Sequence, residues 1–189
     1  MKKMKYVEIR DSIKTGDRFE FASKSVLGSI IRWFTKEEVN HTALALSIDE
    51  YSNYPGNRKF LLEALPDGID LRPASLDVQE CKGSVYYTPL LSLFDSRRQS
   101  MADWGLQQVG KPYDYGNLFK NIFGAVNAEM KKFFCSEYYF VALVSAGIVP
   151  GTEIKGGKVV DLNGAPVKAP RPGEFGSFPI FGETIEIIP

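Results

Sequence analysis

The chain has 189 residues, enough to build one domain with a sizeable core and no disulfide staples. Lys plus Arg and Asp plus Glu both number 23, so the net charge is zero, which excludes the basic footprint of a nucleic-acid binder and the polybasic block that holds proteins on anionic membranes. Two cysteines make no disulfide framework, and one histidine with two distant cysteines supplies no closed set of soft ligands, so neither a metal nor another cofactor is expected.

Met1-Lys2-Lys3-Met4-Lys5-Tyr6 opens like a signal peptide, but Glu8, Arg10, Asp11 and Lys14 interrupt before any apolar stretch. No apolar run is long enough to span a bilayer, so the expectation is a cytoplasmic protein without an integral membrane segment. Gly16-Asp17 reads as a turn, and Arg18-Phe19-Glu20-Phe21 alternates like a short strand. Ser25 is placed to cap a helix running to Phe34. Thr42 to Ile48 reads as a buried strand with His41 at its start, Phe60 to Leu65 as its hairpin partner, and Ile69-Asp70-Leu71 as a third strand after the Pro66-Asp67-Gly68 turn. Ser84 to Thr88 is a further strand. Helical periodicity then takes over in Ser92 to Val109, Leu118 to Phe133 and Ser136 to Ala146, the last stopped by Gly147. The 118–133 stripe, with Lys120, Lys131 and Lys132 nearby, is expected to pack on the core rather than on a membrane surface. Pro150 to Gly176 is Gly/Pro/Lys-rich and loop-like, and Thr184 to Ile187 closes the chain as an alternating strand. The expected fold class is α+β in a single domain over 1–189, with an antiparallel sheet mostly from the first half and helices mostly from the second.

Cys135, in Phe134-Cys135-Ser136-Glu137, directly precedes the predicted 136–146 helix. A thiol there meets the positive end of the helix dipole and unpaired backbone N–H groups, which favour the nucleophilic thiolate. The same N–H groups suit an oxyanion, with Ser136 beside them. Glu137 suits the dipole but opposes a thiolate, so its side chain is expected to point away from the sulfur. His41 is the one imidazole available as a base, and Glu63, a carboxylate inside Leu61-Leu62-Glu63-Ala64-Leu65, is the candidate to orient it. Each has a plainer reading: a cysteine in an aromatic run is commonly a buried small hydrophobe, and mixed parity leaves Glu63 either beside His41 or on a solvent face. Tyr113 and Tyr115 are candidates for the oxyanion site or cleft, and Ser23 and Ser25 for the pocket wall, capping being the first assignment for Ser25. Cys81, between Glu80 and Lys82, is expected as an exposed loop thiol.

These pieces in their order carry a resemblance. Thr15-Gly16-Asp17, Asn40-His41-Thr42-Ala43-Leu44, Leu62-Glu63-Ala64, Gly110-Lys111-Pro112-Tyr113-Asp114-Tyr115 and Phe134-Cys135-Ser136-Glu137, spread over 15–147, resemble the NlpC/P60 branch of papain-like cysteine hydrolases. The order His41, Glu63, Cys135 is similar to the circularly permuted members, YiiX/YebB-like and lecithin-retinol-acyltransferase-like. The resemblance implies a permuted papain-like fold, with an antiparallel sheet or small barrel packed against helices and the cysteine at a helix N-terminus. It also implies cleavage or transfer of an acyl group. The first expectation is a cysteine amidase or peptidase acting on a small or cell-wall-type peptide. Lipid or ester acyl chemistry at the same site is the second, and a non-catalytic binding domain the third. Cys135-Ser136-Glu137 is similar to the YiiX-like side and lacks the Asn-Cys-Glu of the retinol-acyltransferase side.

Overall fold

A computed structural model describes residues 1–23, 38–48, 57–65, 68–111 and 134–188. The predicted 25–34 and 118–133 helices lie outside the described residues. Along the chain run β1 (Lys2–Lys5), α1 (Tyr6–Ile9), β2 (Arg18–Ser23), β3 (His41–Ser47), β4 (Lys59–Leu65), β5 (Gly68–Pro73), α2 (Ala74–Glu80) and β6 (Gly83–Thr88). A 3-10 turn (Ser92–Arg97) leads into α3 (Arg98–Leu106), followed by α4 (Phe134–Ser145), β7 (Thr152–Lys155), β8 (Lys158–Asp161) and β9 (Ile185–Ile188). The result is α+β, as its patterning predicts.

The main sheet has the order β1-β9-β6-β2-β3-β4-β5 and is antiparallel except where β1 lies parallel to β9. The predicted β3–β4 hairpin forms with Leu44 opposite Leu62. Both sheet faces are covered, which explains the near-continuous apolar run of β3 and the mixed parity around Glu63. On one face Leu44, Leu46, Leu62 and Ala64 pack with Met101 of α3 and Tyr138, Tyr139 and Leu143 of α4. On the other, Phe19, Phe21, Ala43, Ala45, Leu61 and Val85 pack with Ile9 of α1 and with Ala74 and Val78 of α2. Even Arg18 and Glu20, the polar half of the β2 alternation, are buried. They form an ion pair at 3.2 Å, with the guanidinium 4.6 Å from the centre of the Phe181 ring.

α4 is the central helix. Tyr138, Phe140, Ala142 and Val144 are buried together with Tyr139 and Leu143, so the helix is covered on more than the single side its periodicity suggests. It ends as the sequence predicts: Gly147 adopts φ +67°, its N–H bonds Val144 O at 2.9 Å, and Ile148 N–H bonds Leu143 O at 3.0 Å, the Schellman pattern. α3 approaches α4 closely at Gly105, where a Cβ would stand 2.9 Å from the Tyr138 hydroxyl and 3.0 Å from Leu62. That hydroxyl donates to Gly105 O at 3.0 Å.

Several expectations are corrected. The loop-like 150–176 stretch contains the β7–β8 hairpin, turned by Gly156-Gly157 at φ +58° and +76°, a two-residue loop whose positive φ values favour glycine. It also contains a 3-10 turn, Pro172–Ser177, that buries Phe175. The Ser92–Val109 helix is divided: a 3-10 turn precedes α3, which stops at Leu106. β1, α1 and α2 carry only four to seven residues each, too few for periodicity to declare them.

Asp17 joins these layers. Its carboxylate, 1% exposed, accepts from Lys14 N (2.8 Å), Leu90 N (2.9 Å), the Tyr87 hydroxyl (2.7 Å) and Arg98 Nη1 (2.8 Å). Arg98 further donates to Leu90 O and Asp95, and Tyr139 of α4 donates to Gly16 O at 2.8 Å. Asp17→Ala strands a buried guanidinium and two backbone donors, so stability falls by about 3–5 kcal/mol, read as a lower urea midpoint at unchanged m-value.

Candidate functional site

The site forms where three elements end. β3 begins at His41, and the Asn40 side chain fixes that beginning: Nδ2 donates to Ser23 O at 2.9 Å, and Oδ1 accepts from Ser23 N at 3.3 Å. Asn40 N also bonds Phe21 O at 2.9 Å. Pairing of Phe21 with His41 across β2 and β3 then sets the imidazole against the Phe21 ring, with centroids 5.7 Å apart. Asn40 is buried, and its part was missed in the sequence. The signal was present, since an amide beside the first residue of a strand is a common backbone partner.

Glu63 lies on the sheet face that carries His41. The β3–β4 register puts Glu63 opposite Ala43, one alternation from His41. The carboxyl is 4% exposed, and its Oε1 stands 3.0 Å from His41 Nε2. A carboxylate only accepts, so this contact assigns the proton to Nε2 and leaves Nδ1 for the other side of the ring. Of the two readings of Glu63, burial beside His41 is the one observed.

Cys135 lies within α4 rather than before it, near the N-terminal end of the part of the helix that is described, Phe134–Ser145. It is buried, as is Ser136. α4 packs on the opposite sheet face from His41, so the thiol meets the ring at the start of β3 rather than across a flat face. Burial of the ring opposes its charge, but the Cys135 sulfur and the Glu63 carboxylate, each by charge and by hydrogen bond, outweigh this and raise the His41 pKa well above its ordinary value.

The remaining predicted residues separate. Ser23 is half-buried at the end of β2, its backbone engaged by Asn40. Tyr113, Tyr115 and Ser25 lie outside the described residues. Glu137 is half-buried, and burial alone pushes its carboxyl up to about 7. Cys81 is corrected: it is half-buried at the end of α2, packed against the β2–β3 core, and burial raises its thiol pKa. Sequence reasoning also missed Asp77 of α2, whose Oδ1 accepts from Arg72 Nε at 2.8 Å on the His41 side of the sheet. Among the described residues no three His, Cys, Asp or Glu side chains converge as metal ligands, and no helix is long and apolar enough to cross a membrane.

The fold belongs to an α+β class already seen in crystals. It is similar to the structure of the metalloprotein yiiX from Escherichia coli O157:H7, DUF1105, with a TM-score of 0.59 and 18% sequence identity over 93% of this chain and 96% of that one. No protein-family model and no curated protein matches the chain.

The raised Glu137 carboxyl has a pH signature. Its folded-state pKa lies above the unfolded value of about 4.3, so the folded state binds the extra proton between the two. Stability therefore falls as pH rises from about 4.3 to about 7, by at most about 4 kcal/mol. Urea midpoints of Glu137→Gln across this range should show a correspondingly smaller decline than those of the wild type.

Proposed function

We propose that the protein is a thiol hydrolase with Cys135 as nucleophile, His41 as base and Glu63 as the group that orients His41. The observation that carries this is the arrangement of one imidazole between a buried carboxylate 3.0 Å from Nε2 and a hydrogen-bonded cysteine on α4. His41 takes the thiol proton, and the thiolate sulfur bonds to the substrate carbonyl carbon. The imidazolium returns its proton to the leaving amine as the C–N bond breaks, and water, deprotonated by His41, releases the acyl group from sulfur. Backbone N–H groups at the start of α4 are the oxyanion donors this reading implies.

The chain order His41, Glu63, Cys135, together with a mostly antiparallel sheet and a buried cysteine helix, supports a permuted NlpC/P60-type, papain-like fold. By analogy with that group the substrate is an amide in a small or cell-wall-type peptide. Lipid or ester acyl transfer uses the same three groups, and turnover of ester micelles but not peptides would select it. The structural neighbour's description as a metalloprotein does not carry over to these residues. Among the described residues His41 Nε2 is engaged by Glu63, and no three His, Cys, Asp or Glu side chains converge as metal ligands.

The test is the alkylation rate of Cys135 against pH, with Cys81, whose thiol burial pushes up, as internal reference. The expected wild-type rate reaches a plateau well below the free-thiol pKa of about 8.5, and His41→Ala abolishes it. A Cys135 that titrates alongside Cys81 and ignores His41 would leave a binding domain. Once a substrate is found, Glu63→Gln should lower kcat/KM by about 10²–10⁴-fold with the fold intact.

A further inference from the structure

The sheet face that carries Glu63 and His41 holds a second carboxyl, that of the half-buried Asp77. The β4–β5 register pairs Glu63 with Asp70 and Leu61 with Arg72, so Glu63, Asp70 and Arg72 project from one face. α2 follows β5 directly and packs Ala74 and Val78 onto that face against Ala43 and Leu61. This brings the Asp77 carboxyl over the same side, with its side chain 11% exposed. Arg72 Nε donates to Asp77 Oδ1 at 2.8 Å, and Arg72 Nη2 donates to Glu80 at 3.0 Å. Among the described residues Asp77 Oδ2 is buried without a hydrogen-bond partner.

We propose, resting on the assignment of His41 and Glu63 above, that Asp77 is a positioning residue for that pair: a second carboxyl, held by Arg72, that sets the charge of the imidazole through its own protonation. An ionised carboxylate with one buried and unmatched oxygen is poorly solvated, so the group holds a proton unless positive charge lies close. The groups facing it are Glu63 on β4, His41 on β3, Arg72 and the exposed Asp70 on β5, and Glu80 on its own helix. Burial and the Glu63 charge push the Asp77 carboxyl up to about 7, against the opposing effects of Arg72 and His41. As pH rises through that value Asp77 becomes anionic and favours the imidazolium, and with it the Cys135 thiolate. As pH falls, Asp77 becomes neutral and the support is withdrawn. A clamp that only held α2 to β5 would leave the imidazole untouched.

His41 is the only histidine in the chain, so its ring gives one unambiguous NMR titration. The experiment compares the wild type, Asp77→Asn, Arg72→Gln and Cys135→Ser. Asp77→Asn is expected to lower the His41 midpoint by about 0.5–1 pH unit, and Arg72→Gln, which leaves Asp77 protonated to higher pH, to lower it as well. Asp77→Asn is also expected to remove an inflection near pH 7 from the Cys135 alkylation profile. A His41 midpoint that both variants leave within error of the wild type overturns the proposal. Arg72→Gln alone decides the matter if Asp77→Asn does not fold. Cys135→Ser reads the parent assignment separately: a His41 midpoint unmoved by loss of the thiol defeats the Cys–His pair whatever Asp77 does.

Discussion

The buried Asp17 carboxylate is the constraint on which the layers depend. It accepts two backbone N–H groups, a tyrosine hydroxyl and a guanidinium, and these donors come from the turn before β2, from the exit of β6 and from α3. A charge taken out of water is stable only with such a complete set of donors. Once it is satisfied, the Gly16 carbonyl in the same turn receives the Tyr139 hydroxyl, and α4 is tied to the same point. Cys135 lies one helical turn before Tyr139, so the position of the thiol follows from how this turn is held.

A similar economy of parts governs the candidate site. Asn40 pins the start of β3, the β2–β3 pairing sets the ring against Phe21, and the β3–β4 register supplies Glu63. The helix that bears Cys135 belongs to the other sheet face, so ring and thiol are brought together from opposite sides of the sheet. Burial alone would strip the imidazole of its proton; the sulfur and the carboxylate reverse that. In the proposed reading, the imidazole held this way is the base for the Cys135 sulfur. The likeness to yiiX reaches over nearly the whole of both chains and speaks for the fold; the chemistry rests on the side chains.

The strands β2 to β6, the hairpin of β3 with β4, and the Gly147 stop of α4 were legible because each rests on a local pattern: an apolar run, a turn of special residues, a glycine in the left-handed region. The turn at Gly156-Gly157 was equally local, but a Gly/Pro/Lys-rich composition obscured it. The short elements β1, α1 and α2 were not legible, since they are held by their neighbours and not by their own periodicity.

For the site, residue type and chain order singled out His41, Glu63 and Cys135: one imidazole, one carboxylate out of pattern, one cysteine before an apolar helix. The sequence by itself therefore determined which groups are available and on which kind of element each sits. Only the tertiary structure decided that Glu63 faces His41, that Cys81 is half-buried, and that Arg72 pairs with Asp77. The reason is physical: alternation and helical periodicity act over a few residues, whereas the face a strand presents and the charge a buried group carries depend on neighbours brought together from distant parts of the chain.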